Sequence, residues 1–240
     1  VQSMNDGILL DAKRGHTAQE VVEAVARLKQ RGMTVGVQLL PGLKGETWET
    51  ILETAIAVVK MKPDFVRIYP VLVIENTELA DQYRAGEYEP LSTEQAITYC
   101  AFLKDWFERH NIEVIRTGLQ STEELDSGTS LVAGPYEPAM GELVVNEQYK
   151  QRIERCINEH IESFIDKELS QWNIWGEVNT FAALNISVFY PRSLTSKVRG
   201  LKNRNMLYFQ EKYPYININW YEDSTRNTVR CCIDGLQYVL

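Results

Sequence analysis

Apolar positions recur with two different periods along the first half of the chain. Val21, Val25 and Leu28 fall at helical spacing behind Thr17-Ala18-Gln19-Glu20. That tetrad is a capping box, in which a hydroxyl and a carboxylate satisfy the first free amides of a helix. Gly32 closes this helix, and Met33 to Leu40 reads as a buried strand ended by Pro41-Gly42. Trp48, Ile51, Leu52, Ala55, Val58 and Val59 return to the helical period and stop before Pro63, whose ring cannot continue a helix. Phe65 to Val73 reads as a second strand. Ser92-Thr93-Glu94-Gln95 caps a third helix running to about His110, and Ile112 to Arg116 gives a third strand. Strands alternating with helices of this length predict parallel α/β units, with strands buried on both faces.

The pattern changes after Arg116. Gly118 to Gly141 is rich in Gly, Pro, Ser and acid and has no period, which reads as a functional loop or a linker. Tyr149, Ile153, Cys156, Ile157, His160, Ile161, Phe164 and Ile165 then form one helical stripe. Leu184, Ile186, Val188 and Tyr190 alternate as a strand, a basic helix follows, and Ile216, Ile218 and Trp220 alternate again before a last strand near Val229 to Ile233. The expected organisation is an α/β domain over residues 1–145 and a small α+β domain over 146–240.

Charge narrows the partners. A net charge of -8 argues against a generic nucleic-acid coat or an anionic-membrane binder, but leaves room for a local basic patch. Arg192, Lys197, Arg199, Lys202 and Arg204, ahead of Tyr208 and Phe209, form one such cluster. It reads either as a solvated helix face or as a phosphate-contacting patch for RNA. No apolar run approaches the ~20 residues that span a bilayer, so no membrane partner is expected. Cys100, Cys156, Cys231 and Cys232 make no C-x-x-C or zinc spacing, and the adjacent pair points to opposite sides of a strand. They read as thiols of a reducing cytoplasm, the expected location, and no metal ligand is assigned. His16 reads as a cap or surface residue, His110 as a helix-end cation and His160 as packing.

Ligands of parallel α/β sheets bind outside the carboxyl ends of the strands. That rule selects Gln2-Ser3, Gln38 to Gly42, Tyr69-Pro70 and Arg116 to Gln120 as successive strand ends. Gln2 and Gln38 place amides beside apolar strands, where an unpaired amide is costly, so both call for a partner such as a ligand hydroxyl.

These segments also carry a resemblance. Val1-Gln2-Ser3-Met4-Asn5-Asp6 followed by Lys13-Arg14-Gly15-His16 resembles the fourth-strand segment of radical S-adenosylmethionine (SAM) proteins of the oxygen-independent coproporphyrinogen oxidase and Elongator catalytic subunit type. Gln2 and Arg14 have the Gln-to-Arg spacing of that segment. Gly36-Val37-Gln38-Leu39-Leu40-Pro41-Gly42-Leu43-Lys44-Gly45-Glu46-Thr47 is similar to the fifth-strand segment. Arg67-Ile68-Tyr69-Pro70-Val71-Leu72-Val73-Ile74, with Gly86-Glu87-Tyr88 beyond, resembles the sixth strand of the Elongator branch, and Val114 to Gln120 continues the match.

The resemblance covers residues 1–145 and implies an α/β fold: the C-terminal half of a partial (βα)6 radical SAM barrel, TIM-like, followed by the small α+β domain. It implies that Gln2 bonds the SAM ribose, Arg14 the SAM carboxylate and Gln38 the ribose again. Leu40, Pro41 and Gly42 would line the adenine, with Tyr69 and Pro70 completing that wall. The family's three cluster cysteines are not in this sequence, so the [4Fe–4S] cluster is expected in an N-terminal part upstream of Val1, where the chain reads as entered partway along a strand. On that expectation the intact parent cleaves SAM reductively, for tRNA modification or a porphyrinogen-type oxidation, and this piece alone is inactive. No catalytic residue is assigned. The alternative is a binding or assembly module that keeps the half-barrel without chemistry. An open strand edge would further call for a homodimer or a rearranged first strand.

Overall fold

The computed structural model describes residues 1–171 and 184–240, with side chains described up to 163 and again from 184. Phe164 and Ile165 of the expected stripe lie outside the described side chains. The chain divides into two compact units, Val1–Val144 and Val145–Leu240. The division falls inside a helix rather than a linker, because the helix expected from Tyr149 begins at Met140.

The first unit runs α1 (Asp6–Asp11), α2 (Ala18–Gln30), β1 (Gly36–Leu39), α3 (Trp48–Met61), β2 (Phe65–Ile68), β3 (Val73–Ile74), α4 (Glu78–Arg84), α5 (Thr93–Arg109), β4 (Glu113–Thr117), α6 (Glu123–Asp126) and β5 (Leu131–Ala133), then enters α7 (Met140–Gln171). The capping boxes at Thr17 and Ser92 form as the sequence implies, and Thr47 with Thr50 makes a third. β1, β2 and β4 make a parallel sheet in that order. Val37, Leu39, Val66 and Ile68 pack against Val21 and Val25, against Ile51, Ala55 and Val58, and against Cys100, Leu103 and Phe107.

Three expectations need correction. The strands bury one face, not two: Gln38 is half-buried and Arg67 and Arg116 are exposed on the face away from the helices. β1 is accordingly short, since Met33 and Thr34 are exposed, and Leu28 of α2 also lies at the surface. The run from Phe65 to Val73 is not one strand. Pro70 has no amide to donate, so pairing with β4 ends at Ile68 while Tyr69 and Val71 still bond the segment after β1, and Val73-Ile74 pairs antiparallel with Leu131–Ala133. The segment from Gly118 to Gly141 therefore contains a helical turn and a strand. Both were hidden because three- and four-residue elements show no period.

The second unit continues from α7 through β6 (Asn185–Tyr190), α8 (Thr195–Arg199), α9 (Arg204–Lys212), β7 (Asn217–Glu222), β8 (Arg230–Ile233) and β9 (Leu236–Val239). Its sheet has the order β7-β6-β8-β9, with β6 and β7 parallel and the other pairs antiparallel. Ile186, Val188, Tyr190, Cys231 and Ile233 share a core with Ile153, Ile157, Val198 and Phe209. The expected basic helix is two helices. Gly200, Lys202 and Asn203 all have positive φ between them, and Asn205 donates to Val198 O at 3.0 Å and Asn146 O at 2.8 Å to hold the break. β9 follows β8 through Asp234-Gly235, both at positive φ, the pair that a tight hairpin turn demands.

Candidate functional site at the strand ends

Backbone hydrogen bonds tie the strand ends of the first unit into one continuous rim. Leu40 N donates to Gln2 O at 3.1 Å, Tyr69 N to Leu39 O at 2.9 Å, Val71 N to Pro41 O at 2.9 Å, and Gly118 N to Ile68 O at 2.9 Å. Residues 1–3 thus lie alongside β1 although they form no assigned strand. Val1 packs into the helix-side core, and Ser3 is fully buried with its hydroxyl 3.4 Å from that of Thr54. Alternation turns Gln2 to the opposite face, the face that carries Gln38 and, beyond Ile68, Tyr69.

The side chains of this rim meet in a consistent way. Gln2 Oε1 is buried without a hydrogen-bond partner, so the amide has an unmet demand, as its position implied. Arg14 is exposed, and its charge reaches Val1, the residue before Gln2. Its backbone is fixed by Arg14 N donating to Leu9 O at 3.0 Å. Leu40 packs with Ile8, Leu43 and Val71, and Pro41 and Pro70 are buried. Gly42 has φ +99, and the place of a Cβ is taken by Leu91, 3.1 Å away. Glycine is needed there for the backbone and for Leu91, a different reason from the close approach of a ligand that the sequence suggested. Pro70, Leu72, Gly118, Leu119, Tyr136 and Met140 line a narrow cleft at the end of the rim, with an enclosed volume of about 10 Å³, room for about one water.

Two features escaped the sequence reading. Gln38, Arg67 and Arg116 are register partners across β1, β2 and β4, so two guanidiniums stand in a row on the open face. Arg67 lies over the Phe65 ring at 5.9 Å, and that ring occupies the space a Cβ of Gly36 would need. Period-two alternation from Val66 and Ile68 would have placed Arg67 there. The other feature is Glu46, which accepts from Gly42 N at 2.6 Å while Tyr88 donates to Gly42 O at 2.7 Å. Burial pushes the Glu46 carboxyl up to about 7, against the downward pull of the Gly42 and Leu43 amides. Burial and that neighbouring carboxylate push Tyr88 up to about 12.

His16 Nδ1 contacts Arg14 O at 2.9 Å, and its buried Nε2 has no partner. His110 closes α5 with Nδ1 at 2.7 Å from Trp106 O, and His160 lies between Asp234 and Tyr238 at 3.4 and 3.5 Å. Among the described residues, no group of three His, Cys, Asp or Glu side chains is placed to hold a metal ion.

Residues 63–151 match the family model of the radical SAM C-terminal domain. A tRNA uridine(34) acetyltransferase of Methanocaldococcus jannaschii is 34% identical over 161 residues, 65% of this chain and 29% of that protein. The archaeal Methanocaldococcus infernus Elp3 with an N-terminal deletion superposes with a TM-score of 0.54 at 32% identity, covering 63% of this chain and 35% of that one. The chain is similar to a C-terminal portion of Elongator-type radical SAM proteins. Elongator complex protein 3 of Danio rerio aligns over a shorter stretch, 32% identical across 38% of this chain and 17% of its own length. The chain thus spans less than a third of the length of these curated relatives.

The mixed α/β fold agrees with that solved structure over 63% of the chain, and the small α+β unit built on β6 to β9 makes up the C-terminal unit.

Proposed function

We propose that this chain forms the SAM-holding side of a radical SAM enzyme that modifies tRNA. The observation that carries the reading is the orphaned Gln2 Oε1 on the rim, with Gln38 on the same face and the charge of Arg14 reaching the neighbouring Val1. A nucleoside hydroxyl can donate to Gln2 Oε1, and the Arg14 guanidinium can fork onto a carboxylate. Leu40, Pro41, Gly42, Tyr69 and Pro70 supply a largely apolar wall for a planar base. When bound, SAM together with a [4Fe–4S] cluster supplies a 5′-deoxyadenosyl radical by one-electron reductive cleavage. The work of these residues is to bind, orient and exclude water. tRNA enters the proposal as the substrate of relatives named for tRNA uridine(34), and the basic cluster Arg192, Lys197, Arg199, Lys202 and Arg204 as its phosphate contact.

Arg14→Ala tests the assignment. On the complete gene product, isothermal titration is expected to show S-adenosylhomocysteine bound about 10- to 100-fold more weakly by the variant, the worth of a charge-assisted pair. 5′-Methylthioadenosine, which lacks the carboxylate, is expected to bind both proteins alike. If Arg14→Ala keeps the wild-type preference between the two ligands, the carboxylate rests elsewhere.

A further inference from the structure

The sheet of the second unit has two unlike faces. Ile186, Val188, Tyr190, Ile218, Trp220, Cys231 and Ile233 turn toward the helices. Alternation and register set Phe189, Tyr221 and Arg230 on the other face, with Ser187, Asn219 and Gln237 around them. Phe189 and Tyr221 are direct partners on β6 and β7, with rings stacked at 5.2 Å and 23°. Arg230 lies over the Phe189 ring at 5.6 Å. Tyr221 is 46% exposed, so this aromatic surface reaches solvent.

The pair sits one residue before the carboxyl ends of two parallel strands, next to the basic segment. Thr195 of α8 donates to Glu222 at 3.0 Å, and Arg199 donates to the Tyr190 hydroxyl at 2.5 Å. Residues 192–204 hold five basic and no acidic side chains, of which Arg192, Lys197, Lys202 and Arg204 are exposed. Lys202 and Asn203 are both held at positive φ, a local cost of the kind that persists where surrounding structure enforces it. The acids nearby are spoken for: Asp223 pairs with Arg230 at 2.5 Å, and Glu222 accepts from Thr195. Arg230 Nε is buried and still lacks an acceptor.

The geometry points to this face as a base-stacking platform for single-stranded RNA. A base would stack on the outer face of Tyr221, whose inner face Phe189 and then Arg230 support, base edges would meet Asn219 and Ser187, and the sugar–phosphate chain would run toward Arg192, just past the end of β6. Stacked aromatics on an exposed sheet beside a cationic strip are what unpaired bases recognise, whereas a duplex offers no free base face. The inference rests on the reading of RNA as substrate, and names the surface that would hold its unpaired bases.

Fluorescence anisotropy on the full chain, with labelled oligouridine of about 12 nucleotides and a duplex of equal length, tests it. Wild-type protein is expected to prefer the single strand. Tyr221→Ala is expected to weaken that binding roughly tenfold at every salt concentration, and Tyr221→Trp to preserve it. Arg192→Ala is expected instead to flatten the slope of log affinity against log salt by about 0.7, the share of one phosphate contact on a single strand. No binding by wild type would remove RNA recognition altogether. Wild-type affinity in Tyr221→Ala would overturn the platform while leaving RNA binding intact. A Tyr221→Ala effect on sedimentation in place of RNA affinity would make the face a protein interface, and overturn it too.

Discussion

Gly118→Ala is expected to lower the stability of the first unit by about 2–5 kcal/mol, two costs adding at one position. The residue holds φ +81, where an L side chain costs about 1–2 kcal/mol. A Cβ there would also stand 2.6 Å from Met140 Cβ and 2.8 Å from its Cγ. Met140 is buried at the start of α7, so its first side-chain carbon cannot swing clear, and such overpacking adds about 1–3 kcal/mol. Gly128 separates the two costs. It has φ +71 with nothing within 4 Å of a Cβ, so Gly128→Ala carries only the backbone penalty. Urea unfolding of both variants measures the difference. Equal midpoints for the two would show that Met140 yields and the contact costs nothing. Because Gly118 N bonds Ile68 O and Gly118 walls the cleft beside Pro70, the same substitution strains the rim where a ligand would lie.

The parts of this molecule legible from sequence are those set by local chemistry. Thr17 with Glu20 and Ser92 with Gln95 announce helix starts because the cap is made within four residues. The order of parallel strands follows from the alternation of strand and helix, and with it the rim from Gln2 to Gly118. What could not be read depends on distant partners. β5 exists because β3 meets it from 60 residues away, Val73 opposite Ala133, and Leu131–Ala133 alone carries no signal. Burial of only one sheet face depends on what stands opposite that face, which an apolar pattern does not report. Glu46 looks like any exposed acid inside a turn until Gly42, Leu43 and Tyr88 enclose it. Asp234-Gly235 was different, since the hairpin signal was present and pointed to β9.

Glu46→Gln is expected to stabilise the fold at alkaline pH and to change little in acid. The carboxyl ionises at about 7 in the fold, against 4.5 for an unhindered glutamate. Below 4.5 it is neutral in both states and its ionisation costs nothing. Between 4.5 and 7 the unfolded chain releases a proton that the fold retains, so stability falls as pH rises. Above 7 the whole cost is present, at most roughly 3 kcal/mol and less to the extent that water reaches this half-buried residue. Glutamine keeps an oxygen able to accept from Gly42 N and has no charge to bury. Thermal unfolding of both proteins at pH 4, 6 and 8 is therefore expected to give a difference that widens with pH in favour of Glu46→Gln. A constant difference across that range would mean the carboxylate is solvated, not enclosed. Glu46 holds the amide of Gly42 and Tyr88 its carbonyl, so one residue beside Leu40 and Pro41 is gripped through both of its peptide groups. The Gly42 and Leu43 amides favour the ionised carboxyl while burial opposes it, so the hydrogen bond to Gly42 N persists at every pH and the cost above pH 7 falls on the stability of the fold.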